Sequence, residues 1–284
     1  MNLRQISVST VAYDGYPFTT SFAELARLGI KLVEPAYING YMVFDEEAFE
    51  APAITAMKAL LKQHQLSCHA ISAHMDTSAE NAEAMLARRL RFTAEIGARF
   101  TITNSTTVDR RLLFEKTLEA NLRLAEQLGV IIALENPGHG KANIMMDGKH
   151  GAELVRYFNS PFLCMNYDTS NVLTYSEGGT RPETDIDFAL PVSSHMHLKD
   201  VVREKDCWRY VAIGHGDIDY PKLLAKLKPH PEIPLTLELP LRLKRKFNQD
   251  PMRDPEISSP KSIAEAIKSS WNCCSTALGD LEVM

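Results

Sequence analysis

The sequence predicts a closed α/β barrel of eight parallel strands, a (β/α)8 architecture, and three observations carry that expectation. Short β-branched runs alternate with longer amphipathic segments along all 284 residues, the pattern of parallel strand–helix units. Eight such units follow one another, and a chain of this length can hold them as one eightfold barrel. A doubly wound open sheet would announce a glycine-rich phosphate turn after its first strand, and the residues there read VSTVAYDGYP. No linker or low-complexity stretch interrupts the chain, so residues 1–284 are expected to form a single domain.

The units run in order. ISVSTV is a strand, and TTSFAELARLG a helix with Thr or Ser at its N-cap and Gly29 just past its end. IKLVEPA is the second strand, followed by a helix from about Ala48 to His64. LSCHAIS precedes a helix opened by Thr77 or Ser78. RFTITNS precedes the segment Asp109–Gly129, which Asp109 caps and Gly129 stops. VIIALEN leads to a helix near Gly151–Phe158, and FLCMNYD to a short one near Asp185–Ala189. SSHMHLKD precedes DYPKLLAKLK, where Asp219 caps and Pro221 sits in the first turn. LTLEL is the last strand and SSPKSIAEAIKSS the closing helix. The polar, proline-bearing segment LRLKRKFNQDPMRDPEISSP between them is expected to be a long loop on the face where the strands end.

Composition narrows the partners. A formal net charge of −5 offers no basic footprint for nucleic acid. The opening MNLRQISVSTVAY has neither the apolar core nor the small-residue cleavage site of a signal peptide. No stretch approaches the roughly 18 apolar residues of a membrane span. The five cysteines are scattered, without a CxxC pair, which fits reduced thiols in a cytoplasmic protein. Cys273 and Cys274 fall in what reads as a polar tail. The expected partner is a small molecule, with no nucleic acid, no membrane, and homo-oligomeric assembly left open.

In an eightfold barrel the strand C-termini open onto one face, and chemistry gathers there. Those ends carry Glu34, His69, Asn104, Glu135, Asp168, His197 and Glu238. The last four come from consecutive strands, written ALENP, MNYDTSNV, HMHLKD and LTLELP. Three carboxylates and an imidazole brought together would repel unless a cation sat among them. An oxygen-rich set with one nitrogen suits a divalent ion such as Mn2+, Mg2+ or Co2+ better than structural zinc, which favours thiolates.

These residues carry a resemblance. The chain resembles the xylose isomerase-like TIM barrel superfamily of sugar isomerases and epimerases, which also contains the endonuclease IV branch. The likeness runs nearly the whole length, from ISVSTVAY to the last helix. It implies that Glu135, Asp168, His197 and Glu238 hold one divalent ion, Mn2+ foremost, with Mg2+, Co2+ or Zn2+ as the other candidates. The resemblance selects His197, the second histidine of HMHLKD, as the ligand. His195 is expected to face the other way, packed behind the barrel wall. GHGDIDYPKLL is similar to the family's glycine-rich turn into the next helix. Arg203, six past His197, matches an arginine that contacts substrate in the ketose 3-epimerases.

Two departures concern substrate. Where the family writes Asp-x-x-His, this chain has Asp168 followed by Asn171. Where ketose epimerases carry a glutamate six past the first metal glutamate, it has Lys141. His139, four past Glu135, is a candidate replacement acid/base, because imidazole titrates near neutral pH. His74 is a candidate pocket residue, Asp200 a candidate for orienting ligand or substrate, and Trp208 a candidate for closing the pocket. The resemblance implies a metal-dependent isomerase or epimerase acting on a ketose or related keto-sugar. Glu135 and Glu238 would exchange a carbon-bound proton through an enediolate. The alternative is a lyase on the same scaffold, eliminating from a 3-oxo-glycoside or dehydrating a 3-dehydroshikimate-type substrate. A DNA-repair endonuclease is disfavoured, since Trp208, Tyr210 and Asn171 stand where that branch places further zinc ligands.

Overall fold

Eight strands pair in parallel and in chain order until the last returns to the first. They are Ile6–Ser9, Leu32–Glu34 with Ala36–Tyr37, Ser67–Cys68 with Ala70–Ala73, Phe100–Asn104, Ile131–Glu135, Leu163–Asp168, Ser193–Leu198 and Leu235–Leu237. The computed structural model describes residues 4–39, 42–136, 142–247 and 249–279. Ile6 pairs with Leu235 to join the eighth strand to the first, and Leu32 with Ser67 and Ala36 with Ser72 join the second to the third. Pro35 splits the second strand, since proline cannot donate to the ladder. The ring is therefore closed, as the sequence predicts.

Strand side chains alternate between two environments. Ile132, Leu134, Met165, Tyr167, Met196, Leu198 and Leu237 join the main core under the helices. Their neighbours Ile131, Ala133 and Cys164 form a separate small cluster with Ala70, Phe100 and Ile102 inside the barrel. The same inward columns continue upward to Asn104, Glu135 and Asp168. At the sixth and seventh strands the register shifts, so that Met165 faces Ser193 but Asn166 faces His195 and Asp168 faces His197. This irregularity sets the phase in which the seventh strand delivers its histidines.

Nine α-helices lie among the described residues, including α1 (Phe18–Arg27), α2 (Ala51–Gln63), α3 (Ala82–Glu95), α6 (Thr169–Tyr175) and α9 (Pro260–Leu278). Asp147, Asp219 and Ser259 cap their helices through side-chain oxygens. Several expectations need correction. Helix α1 starts after Pro17 without a side-chain cap. Helix α3 begins only at Ala82, because the Thr77 hydroxyl instead donates to the carbonyls of Asn104 and Ser105 at 3.2 and 3.3 Å. Asp109 lies in a 3-10 turn one residue before the Arg110 N-cap. Cys273 and Cys274 are not in a polar tail but in α9, with Cys274 in the core. Among the described residues no helix is long and apolar enough to cross a membrane.

The segment expected as a long loop forms strands. Leu243–Lys246 and Pro251–Arg253 join Asp200–Arg203 and Cys207–Val211 in a four-stranded antiparallel sheet beside the barrel mouth. Asp200 anchors the glycine turn. It is fully buried and accepts from the backbone N–H groups of Val201, Gly214 and Gly216 at 2.9 Å, and of Ile218 at 3.4 Å. Burial pushes its carboxyl up to about 6, against those donors, which pull it down. Gly214 has φ +85°, and a Cβ at Gly216 would run into the Asp200 carboxylate, so both glycines are steric requirements. Asp200 is thus committed to the turn rather than to orienting a ligand or substrate. Replacing it by alanine should cost about 3 kcal/mol, because buried N–H donors lose their acceptor. An unfolding free energy within about 1 kcal/mol of wild type would show that the turn holds without it.

Candidate functional site

The tops of four inward columns converge. One ligand atom each from Glu135, Asp168, His197 and Glu238 lies within 4.8 Å of the others, and all four residues are buried. Local hydrogen bonds aim three of them. Asp168 Oδ1 caps α6 by accepting from the N–H groups of Ser170 and Asn171 at 2.9 and 2.8 Å, which turns Oδ2 toward the centre. Glu135 accepts from Asn171 Nδ2 at 2.9 Å and from Asn166 Nδ2 at 3.3 Å. His197 Nε2 lies 3.1 Å from Glu34, and Ser72 and Thr236 hydroxyls donate to the same carboxylate at 2.8 Å each. A carboxylate that takes one ring N–H fixes the tautomer and offers the other nitrogen to a metal. That nitrogen, Nδ1, points at Glu238 and Glu135, at 2.8 and 3.2 Å.

Asp168 Oδ2, His197 Nδ1 and Glu238 Oε2 are buried without a hydrogen bond of good geometry. The Lys199 ammonium nonetheless lies close, 2.7 Å from Asp168, 2.5 Å from Glu238 and 3.6 Å from Glu135. Three carboxylates share one ammonium, a crowding of acids that a divalent cation would relieve. The cluster therefore fits such an ion in donor chemistry, in orientation and in charge.

The electrostatics express the same shortage of positive charge. Burial alone would raise Glu135, yet Lys199, His197 and His74 hold its carboxyl well below the usual range. Glu238 is lowered against burial by Lys199 and His197. Asp168 goes the other way, up to about 7, through burial and then the repulsion of Glu135 and Glu238, despite Lys199. Burial disfavours imidazolium at His197, but Glu34, Glu238 and Glu135 push its pKa well above normal. Acids sharing too few cations are driven apart in this way.

Glu135 and Glu238 open into a cavity of about 280 Å³ with His74, Asn104, Asn171 and Lys199 on its walls. Tyr210, Leu243 and Arg253 of the antiparallel sheet close one side. A larger groove of about 770 Å³ lies between α1 and α2, lined by Phe18, Met57 and Leu60 among others. Among the described residues it has no cluster of ionisable groups, and the smaller cavity is the one that meets the chemistry.

A model of the xylose isomerase-like TIM barrel matches residues 22–268. The chain belongs to that family. A comparison with curated proteins finds no match. Among solved structures, D-allulose 3-epimerase from Methylomonas sp. aligns with TM-score 0.68 and 16% identity, over 96% of this chain and 99% of that one. A probable 3-DHS dehydratase from Bacillus anthracis aligns with TM-score 0.66 and 14% identity, over 93% and 97%. A family protein from Mycobacterium smegmatis in complex with magnesium gives TM-score 0.66 and 14% identity, over 98% of both chains. At such identities the likeness shows the fold.

Within this family barrel, the structure brings His74 and Asn171 to Glu135; His74 Nε2 is 3.2 Å from its carboxylate. His139 and Lys141 lie outside the described residues. Arg203 is not at the cavity. It is exposed, and its guanidinium stacks over Phe247 at 4.9 Å and Trp208 at 5.5 Å, because it ends a strand paired with Trp208. Trp208 is buried edge-on against Phe247 and does not line the cavity. His195 also needs correction: residues two apart in a strand share a face, so it points inward below His197. Its Nδ1–H donates to Asn166 Oδ1 at 2.7 Å, and its Nε2 meets the Thr236 hydroxyl at 3.1 Å. Burial, with His69 and His197 beside it, keeps it neutral. Lys199 was missed, although 195, 197 and 199 continue one inward column.

The ligand and its support should separate in a titration. His197→Ala removes a donor atom and should abolish Mn2+ binding in calorimetry. Glu34→Gln leaves the four inner residues in place and should weaken binding by about 10–100-fold, the usual effect of losing an orienting partner. Unchanged affinity in the Glu34 variant would mean that His197 is held in place without it.

Proposed function

We propose that this chain is a divalent-metal-dependent isomerase or epimerase acting on a ketose or related keto-sugar. The observation that carries the reading is that Glu135 and Glu238 both line one sugar-sized cavity and both belong to a four-residue cluster suited to a divalent ion. When bound, the ion would supply Lewis-acid polarisation of the sugar carbonyl, acidifying the neighbouring C–H. Mn2+ is the first candidate, with Mg2+, Co2+ and Zn2+ next. Glu135, Asp168, His197 and Glu238 would hold it.

The chain's own groups then divide the work. Asn171 and Asn166 hold the Glu135 carboxylate by donating to both its oxygens, so it accepts a proton from one side of the sugar. Glu238, beside the Lys199 ammonium, returns or accepts one on the other. Two carboxylates across a bound sugar are what a two-sided transfer needs. His74 and Asn171 would contact the sugar hydroxyls. The D-allulose 3-epimerase alignment is consistent with this reading.

A lyase is the second reading, and Lys199 is what favours it. A cationic N–H in the cavity wall could bond to a departing oxygen after the same proton abstraction, and a probable dehydratase shares the fold.

Purified protein should hold about one divalent ion per chain by elemental analysis. In D2O with Mn2+, a keto-sugar panel should yield deuterium at the carbon next to the carbonyl. An isomerase or epimerase returns a labelled sugar of unchanged composition, whereas a lyase releases an eliminated product. Glu238→Gln, assayed at saturating metal, should lose about 10²–10⁴-fold in turnover because an amide accepts no proton at neutral pH. If no keto-sugar takes up deuterium while the metal is bound, the enolisation reading is wrong.

A further inference from the structure

Asn104 ends the fourth strand on an inward column, and its Cα pairs with that of Glu135 on the neighbouring strand. It is only 4% exposed and it lines the cavity. Its Oδ1 is buried without a hydrogen-bond partner. Buried amides are almost always paired, so an unpaired one in a native wall calls for a partner from outside the chain.

The position is held rigidly. The Thr77 hydroxyl donates to the carbonyls of Asn104 and Ser105, and Ser105 Oγ donates to Asn143 Oδ1 at 2.6 Å. The backbone is thus fixed from outside while Oδ1 is left uncommitted. Asn171 is the contrast: it faces the same cavity but commits its N–H to Glu135. An amide presents both a donor and an acceptor, and a hydroxyl group answers both. A bare oxygen acceptor, such as a phosphate, could not satisfy Oδ1.

We propose that Asn104 is a specificity-determining residue whose amide reads one hydroxyl of the bound keto-sugar. Neighbouring strands lie about 4.8 Å apart, so that hydroxyl sits next to the carbon facing Glu135. This role rests on the keto-sugar reading of the site. It also has a consequence for stability: replacing an unpaired buried amide by an apolar side chain of similar shape removes an unmet hydrogen-bonding demand.

The test compares wild type, Asn104→Leu and Asn104→Asp, each loaded with Mn2+. D-allulose, D-fructose and their monodeoxy analogues are titrated by calorimetry, and turnover and melting temperature are measured alongside. Wild type should bind a ketose, and Asn104→Leu should bind it about tenfold more weakly, as expected for one or two lost hydrogen bonds. KM should rise with kcat within about twofold, the pattern of an interaction equal in ground and transition states. Wild type should reject one monodeoxy analogue, and Asn104→Leu should lose that discrimination alone. Asn104→Asp, which keeps the shape and an acceptor, should fall between them. Asn104→Leu should melt no lower than wild type. Ketose binding that is unchanged in Asn104→Leu overturns the proposal, and so does a melting temperature lowered in both variants with discrimination intact. If wild type binds neither ketose, the keto-sugar reading falls and the role of Asn104 falls with it.

Discussion

Three buried carboxylates forced together at the barrel mouth are the constraint on which the other features of the site depend. Glu135, Asp168 and Glu238 are each no more than 1% exposed, so water screens little of their repulsion. Lys199 offsets part of it, and a divalent ion would relieve the rest. The polar filling beneath them answers the same demand. Barrel interiors are ordinarily packed with branched apolar side chains. Here the small cluster around Ile102 and Ala133 fills only part of it, and above lie Ser7, Asn166, His195, Thr236 and Glu34. These groups bond to one another and orient His197 and Glu135. Polar groups at that depth are tolerable only when they are paired, and each is.

One segment ties the site to the fold's stability. The seventh strand delivers His195, His197 and Lys199 on one column, and the next residue, Asp200, gathers the glycine turn beneath it. The chain then rises into the antiparallel sheet that walls the cavity. A fault in the turn would therefore be transmitted to His197 and Lys199 within a few residues. Arg253 locks the far edge of that sheet to the first barrel loop through a two-point ion pair with Asp14, at 2.9 and 2.6 Å.

The fold was legible because eight β-branched runs, separated by amphipathic segments, leave few architectures open. The four clustered residues were legible because each ends a run with a charge that a buried strand would not otherwise carry. The features that escaped did so for physical reasons. Strand Leu243–Lys246 reads as a charged loop because its second buried position is Arg245, which lies over Tyr175 at 4.0 Å and donates to the Thr174 carbonyl. Arg203 keeps its spacing from His197, but a hairpin strand turns it outward. Spacing in sequence does not fix direction once the chain leaves the barrel. Lys199 was readable from the two-residue period, and so was the true direction of His195.

The proposed function assigns its first chemical step and its later ones to different residues. The same fold is found in an epimerase and in a probable dehydratase, and in the proposed function proton abstraction is the step assigned to the four-residue cluster. The second step depends on which neighbours can move another proton. Asn171 stands where a histidine is the family habit, and an amide can orient Glu135 but cannot exchange protons with the sugar. His74 remains on that wall, already beside Glu135. Glu238 and Lys199 line the same cavity, while Arg253 at the rim is tied to Asp14. In the proposed function, the groups available for a second proton transfer are Glu238 and the Lys199 ammonium beside it. A carboxylate acting there returns the proton to carbon and gives an epimer or isomer. An ammonium acting there assists a leaving oxygen and gives elimination. The branch between the two proposed reactions lies in which member of that pair faces the sugar.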